Sequence, residues 1–262
     1  MPIDASGCLP VSNESDPTEF LAIEFDPREI DEVLEWAINR PPSAPFGYVV
    51  TPNVDHIVKL NSRISFVGDF GAAYADASLR VCDSRILALL ARLRGVRIPV
   101  VPGSDLTVRL IADALKPGER VSIIGGDPAV LDELRRTQPE VHFLQHVPPM
   151  GLLTNRPALM DAARFIAENP VRFCLLAVGT PQQEILANLV AQQGGSTGLG
   201  FCVGASLDFI SGKQKRAPRW LQRARLEWLY RLCCNPRRFW RRYLIEGPRI
   251  LGLVLRWEGA PQ

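Results

Sequence analysis

The 262-residue chain has no Cys-x-x-Cys pair: Cys8, Cys82, Cys174, Cys202, Cys233 and Cys234 follow no regular spacing. That absence argues against a disulfide framework, and thiols set in or beside apolar segments suit a reduced interior. No apolar run is long and uninterrupted enough to cross a bilayer as a helix. The first twenty residues hold several acids and no apolar signal-peptide core, so the expectation is a protein made and kept in the cytoplasm. Repeats and low-complexity tracts are absent. A full Gly-x-Gly-x-x-Gly spacing is missing too, so a dinucleotide site is not supported. Net charge is almost missing, at +2, but the small total hides an asymmetry. Residues 1–210 carry 17 Lys+Arg against 25 Asp+Glu, whereas residues 211–262 carry 13 against 3. A basic C-terminal fifth on an acidic body points to a contact with something anionic.

With 47% hydrophobic residues the chain has material for a large core, and 22% charged residues exclude a disordered polyelectrolyte. Residues 1–20 are polar and aperiodic and are expected to be disordered. Beyond Asp26, β-like runs alternate with amphipathic stretches. The runs are Tyr48–Thr51, Leu79–Cys82, Ile98–Val101, Arg120–Ile124, Val141–Val147, Phe173–Val178 and Leu199–Val203. The stretches include Ser84–Arg94, Asp105–Leu115, Pro128–Thr137, Ala158–Glu168 and Pro181–Gln192. Apolar strands alternating with helices imply an α/β fold: a Rossmann-like parallel sheet sandwiched by helices. The alternation stops near Gly212. The reading is therefore an α/β body over residues 21–212 and a helical C-terminal appendage over residues 213–262, broken at Asn235-Pro236 and Gly247-Pro248.

In such a sheet, ligands bind at the carboxyl ends of the strands. Three small-residue turns stand there: Ile124-Gly125-Gly126, Val178-Gly179-Thr180-Pro181 and Val203-Gly204-Ala205-Ser206. Each alone can be nothing more than a turn, but three in one sheet outline a cleft. Gln182, Gln183 and Glu184 follow the second turn and Asp208 follows the third. They either cap helices or read hydroxyls of a ligand. Thr51-Pro52-Asn53 and Cys82-Asp83-Ser84 end two further strands on the same edge. Asp83 either caps the helix beginning near Ser84 or offers a carboxylate able to take a proton from an attacking hydroxyl. His142 and His146 share a strand face without an obvious ligand partner, which reads as structural; His56 either lines the cleft or faces its own backbone.

In order along the chain, these segments resemble the WecG/TagA/CpsF family of bacterial glycosyltransferases. Pro102-Gly103-Ser104-Asp105-Leu106, Arg216-Ala217-Pro218 and Leu226-Glu227-Trp228-Leu229-Tyr230-Arg231 extend the likeness, which spans roughly residues 45–245. The chain departs from the family pattern at Gln182, often basic, and at Ala205 and Leu207, often glycine and an aromatic. The resemblance implies an inverting transfer from a UDP-sugar to a polyprenyl-diphosphate-linked sugar in cell-surface polysaccharide synthesis. The donors it suggests are N-acetylmannosamine, its uronic acid or glucose. It implies no metal or other cofactor, in keeping with the lack of an Asp-x-Asp pair among the strand-end motifs.

Carried onto this chain, the resemblance makes Asp83 the candidate general base, with Thr51 and Asn53 as polar neighbours. Gly125, Gly126, Gly179, Pro181, Gln183, Glu184, Gly204 and Asp208 become the candidate donor-binding set. Arg216, Arg231, Arg237 and Arg242 become the candidate phosphate and acceptor contacts. The arginines of the tail are interleaved with Trp220, Trp228, Tyr230, Phe239, Trp240, Tyr243 and Trp257. That pattern suits an amphipathic segment docked on an anionic membrane surface, which puts the protein peripherally on the inner face of the cell membrane. Nucleic acid fits poorly with the acidic body, and nothing in the sequence fixes the oligomeric state, a homo-oligomer included. A membrane-recruited adaptor without catalysis is the alternative.

Overall fold

The computed structural model describes residues 16–62, 66–210, 212 and 217–259. It opens on an antiparallel hairpin of β1 (Thr18–Phe20) and β2 (Ile23–Phe25), turned through Leu21 and Ala22 at positive φ. Phe20, Ile23 and Phe25 are buried. The expected disorder of residues 1–20 is therefore corrected for residues 18–20, whose apolar Phe20 anchors a strand; residues 1–15 lie outside the described residues.

Helix α1 (Ile30–Asn39) starts where the Glu32 carboxylate accepts the Glu29 N–H at 2.8 Å. Next come β3 (Gly47–Val50), α2 (Val54–Leu60), α3 (Val67–Ala75), β4 (Leu79–Arg80) and α4 (Arg85–Leu93). Helix α5 (Gly103–Arg109) runs on into a π-helical turn, Leu110–Ala114. The second half holds β5 (Arg120–Gly125), α6 (Pro128–Thr137), β6 (His142–His146), α7 (Arg156–Glu168), β7 (Phe173–Ala177), α8 (Gln182–Gln193), β8 (Leu199–Cys202) and α9 (Leu207–Ile210). The tail contains α10 (Arg219–Arg223), α11 (Glu227–Cys234), α12 (Pro236–Trp240), a π-helical turn Arg241–Glu246, and α13 (Arg249–Arg256).

Six strands form one parallel sheet in the order β4-β3-β8-β7-β5-β6. Successive side chains point to opposite faces, so each strand feeds two cores. Tyr48, Val50, Ile124, Cys174, Leu176 and Cys202 face one layer of helices, with Ile57, Leu87 and Leu186. Val49, Val121, Ile123, Leu175 and Phe201 face the other, with Leu106, Val130 and Leu134. Such double coverage explains the near-continuous apolar strands, and the fold is Rossmann-like α/β.

Residues Ile98–Val101 form no strand. Val100 makes a single parallel bridge to Cys82, and the Val101 N–H donates to the Cys82 carbonyl at 2.8 Å. Pro99 and Pro102 lack the N–H a ladder needs.

The tail is built into the body rather than hung from it. Ile250 and Val254 join the same core as Tyr48 and Val50. Trp257 meets the Phe20 ring edge-on at 4.9 Å, and Arg94 donates to the Trp257 carbonyl at 2.5 Å. Among the described residues no helix is long and apolar enough to cross a membrane.

Candidate active site

The carboxyl ends of the parallel strands make one edge. Asp83 follows β4, Asn53 follows β3, Gly204 follows β8, Gly179 follows β7 and Gly126 follows β5, on five adjacent strands. At about 4.8 Å per strand, the edge from Asp83 to Gly126 is about 19 Å long.

At one end of it, Asn53 caps α2, its Oδ1 accepting the Asp55 N–H at 3.0 Å and the His56 N–H at 3.4 Å. With Oδ1 fixed, the amide nitrogen faces Asp83 Oδ2 at 3.5 Å and His56 Nε2 at 3.4 Å. His56 is buried, and its Nδ1 lies 2.6 Å from the Tyr74 hydroxyl. An amide N–H pointing at Nε2 requires that nitrogen to accept, which assigns the ring proton to Nδ1 and its bond to Tyr74. Burial drives the His56 pKa down to about 3, so the ring is neutral. His56 therefore stands behind Asn53 and steadies it.

Asp83 does not cap α4. Ser84 does, accepting the Leu87 N–H at 3.2 Å. Asp83 Oδ1 instead accepts the N–H of Gly103, the first residue of α5, at 2.7 Å. Burial pushes the Asp83 carboxyl up to about 6, with the Gly103 N–H and Arg231 pulling the other way. Oδ1 is committed to backbone; among the described residues, Oδ2 has the long contact from Asn53, and Asp83 borders open space.

That space is a cavity of about 560 Å³ between the strand edge and the tail. Asn53, Asp55 and Asp83 line its floor, with Arg231 and Arg242 on the tail side. Ile86, Leu90, Trp228, Tyr243, Ile250 and Leu251 supply apolar walls. Arg231 donates to Glu227 at 2.6 Å and lies over the Phe209 ring, its carbon 5.3 Å from the centroid. Arg242 reaches Asp55 at 3.6 Å, and Lys59 reaches the same oxygen at 2.9 Å. Burial disfavours an ionised Asp55, but Arg242 and Lys59 outweigh it and hold the carboxyl below its ordinary range.

The glycine turns occupy the rest of the edge. Gly125, Gly126, Gly179 and Gly204 all have positive φ. At Gly125 the need is also one of packing, because a Cβ would sit 2.9 Å from the Ala177 carbonyl oxygen on β7. Gly179 has nothing within 4 Å of such a Cβ, so its backbone is open to a ligand. Pro181 is the residue before α8, joined to Thr180 by a cis bond. Asp208, partly buried, stands in the first turn of α9 beside the Gly204 turn.

Several expected contacts are corrected. Thr51 is buried; its hydroxyl donates to the Cys202 carbonyl at 3.3 Å and its side chain packs against Gly103, so it braces the site from beneath. Gln183 and Glu184 also point inward. Gln183 accepts the Gly204 N–H at 3.0 Å and donates to Glu184 at 2.9 Å, joining the α8 start to the Gly204 turn. Glu184 is 0% exposed, and burial lifts its carboxyl to about 7. Gln182 is a strut as well, accepting the Leu152 N–H at 2.7 Å and donating to the Val178 carbonyl at 3.0 Å. Arg237 is exposed and does not line the cavity. Arg216 lies outside the described residues. Asp55, Ile86, Leu90 and Arg225 line the cavity without having stood out in the sequence; only the Asp55–Lys59 spacing of one helical turn hinted at an ion pair.

A carboxylate of raised pKa beside arginines, on an edge of glycine-marked strand tips, is an arrangement that activates a hydroxyl next to an anionic leaving group. The family model for glycosyl transferases of the WecG/TagA/CpsF family matches residues 18–261, hairpin, sheet and tail together, and the chain belongs to that family.

Proposed function

We propose that this glycosyltransferase moves a sugar, with inversion, from a UDP-sugar to a polyprenyl-diphosphate-linked acceptor used in cell-surface polysaccharide. The observation that carries this reading is Asp83, whose Oδ2, held by a long contact from Asn53, shares one cavity with Arg231 and Arg242 under the tail. The donor lies along the glycine turns, with its diphosphate toward backbone N–H groups and the Asp83 end of the edge. Asp83 Oδ2 takes the acceptor hydroxyl proton as that oxygen bonds to the anomeric carbon. On the opposite face the bond from this carbon to the UDP oxygen breaks, and UDP leaves with the electron pair. Charge on the leaving group is met by arginines and backbone amides, with no metal assigned a role.

The outer side of the tail supports a membrane-facing role. Trp240, Leu244, Ile245, Leu251 and Leu255 are exposed together with Arg238, Arg241, Arg249 and Arg256. Apolar side chains interleaved with arginine suit an anionic bilayer surface, where each cation contributes about 1 kcal/mol.

Asp83→Asn keeps the acceptor atom for the Gly103 N–H and removes the base. Transfer is expected to fall by about 10²–10⁴-fold while UDP still raises the melting temperature. Transfer at the wild-type rate would remove Asp83 from the mechanism.

A further inference from the structure

Two carboxylates and an arginine share the chamber between the strand edge and the tail. Asp83 enters it from the end of β4, and Glu227 and Arg231 both enter from α11. Glu227 opens that helix and Arg231 stands one turn later, so the two lie on one face. Arg231 donates to Glu227 Oε1 at 2.6 Å, while its guanidinium carbon lies over the Phe209 ring. Both side chains act on Asp83: Arg231 draws its carboxyl down and Glu227 pushes it up. Around them stand Arg85, Asp105, Arg225, Tyr243, and Asp55 with its partners Lys59 and Arg242. Cys82, His56 and Tyr74, behind Asp83 and Asn53, are buried and neutral.

We propose that Glu227 is a positioning residue that holds Arg231 back from Asp83, an inference resting on the function proposed above. A guanidinium and a carboxylate facing one cavity otherwise pair with each other, because the fork of arginine matches a carboxylate and the contact is partly shielded from water. That pair would leave Asp83 a weaker base and Arg231 with fewer N–H groups for a leaving phosphate. The bond to Glu227 prevents it by engaging one nitrogen of Arg231 from a helical turn away. The negative charge of Glu227 adds to the effect, since a like charge nearby makes Asp83 hold a proton more readily. Glu227 thus touches no reacting atom and acts through Arg231 and Asp83. A purely structural glutamate, placed only to favour the positive end of α11, would leave the basicity of Asp83 unchanged.

The test reads Asp83 directly. The full-length enzyme, carrying carbon-13 at its aspartate side-chain carboxyls, is titrated by NMR, and Asp83→Asn assigns the resonance. In the wild type that resonance titrates near pH 6. Glu227→Gln keeps an acceptor for Arg231 and removes the charge; Glu227→Ala removes both. The midpoint is expected to move toward acid by about one pH unit in Glu227→Gln and at least as far in Glu227→Ala. The bend of the kcat/KM profile moves with it, and the plateau above the bend falls by about three-fold or more, as a weaker base requires. A structural role predicts a lower melting temperature with the midpoint still near pH 6, and that result in both variants overturns the proposal. The titration needs no turnover, which separates this inference from the reaction it rests on. A midpoint moved toward acid in an enzyme that transfers nothing from a UDP-sugar upholds the role of Glu227 and refutes the reaction. Transfer by both variants with an unmoved midpoint does the reverse.

Discussion

Asp83 serves two opposed demands. As a base it must be ionised at working pH, and yet burial on the strand edge resists the charge and sets its pKa at about 6. Above that value the carboxylate is available; below it, each pH unit removes about ten-fold of the active form. The kcat/KM profile is therefore expected to rise with unit slope to a bend near pH 6 and then level, and Asp83→Asn abolishes the bend. Stability runs the other way. The folded pKa lies above the ordinary carboxylate value, so between about pH 4 and 6 the native state binds more protons than the unfolded chain. Asp83 therefore contributes most stability below about pH 4 and loses it as pH rises through 6. Since asparagine retains an acceptor for the Gly103 N–H, Asp83→Asn is expected to be more stable than the wild type at pH 8, by about 2 kcal/mol or somewhat less given its partial exposure. Urea melts at pH 8 and pH 4 check this: the gap must shrink toward zero in acid. A variant less stable than the wild type at both pH values would show that the buried charge is fully compensated.

At the scale of turns and helices, glycines that look alike in the sequence do different work. Gly125 has φ +86° and a Cβ there would press on the Ala177 carbonyl at 2.9 Å; Gly179 has φ +80° and open space. Gly125→Ala is expected to lower stability by about 3 kcal/mol, combining backbone strain with overpacking, and Gly179→Ala by about 1 kcal/mol, from strain alone. Urea midpoints at constant slope distinguish them. If Gly179 instead meets the donor, its alanine variant raises the KM for the UDP-sugar beyond what so small a stability loss explains. The same contrast marks what could be read in advance. Pro128–Thr137 was legible residue for residue because a proline-led start and a regular apolar period coincide. Ile98–Val101 read as a strand on apolarity alone, although Pro99 and Pro102 break the ladder. Helix α3 was missed because Gly68 and Gly71 weaken its helical signal. Asp83 was found as a strand tip, yet its Gly103 partner lies twenty residues on, and the fold brings it there by packing Gly103 against Thr51. Gln183 and Glu184 misled for a similar reason: polar residues after a glycine turn look ligand-facing until the first turn of α8 is seen to roll them into the core.

For the molecule as a whole, the sequence marked the tail off by its basic charge, but its attachment to the body was not legible. Which face of α13 the body would bury depends on the hairpin at the other end of the chain: Phe20 meets Trp257, and Ile250 and Val254 sink into the core beside α2. What remains outside is Ile245, Leu251, Leu255 and their arginines, on a tail packed to the body through Ile250, Val254 and Trp257. Because the tail shares the core of the body, the membrane reading is tested by surface substitutions that delete no part of the fold. Ile245 and Leu255 are 50% and 77% exposed and do not line the cavity, so Ile245→Glu with Leu255→Glu removes apolar contact and adds repulsion while leaving Asp83 and the chamber untouched. Surface changes of this kind shift stability by about 0.5 kcal/mol or less. Two leucine-sized side chains withdrawn from a bilayer remove about 3 kcal/mol or more, so binding to anionic vesicles is expected to weaken at least about a hundred-fold. The arginines should leave their own signature, with wild-type binding falling as salt rises from 0.1 to 1 M and disappearing on vesicles of neutral lipid. Co-sedimentation measures both. Binding by the double variant equal to that of the wild type, at matched salt and lipid, would mean that this face of the tail does not meet the membrane.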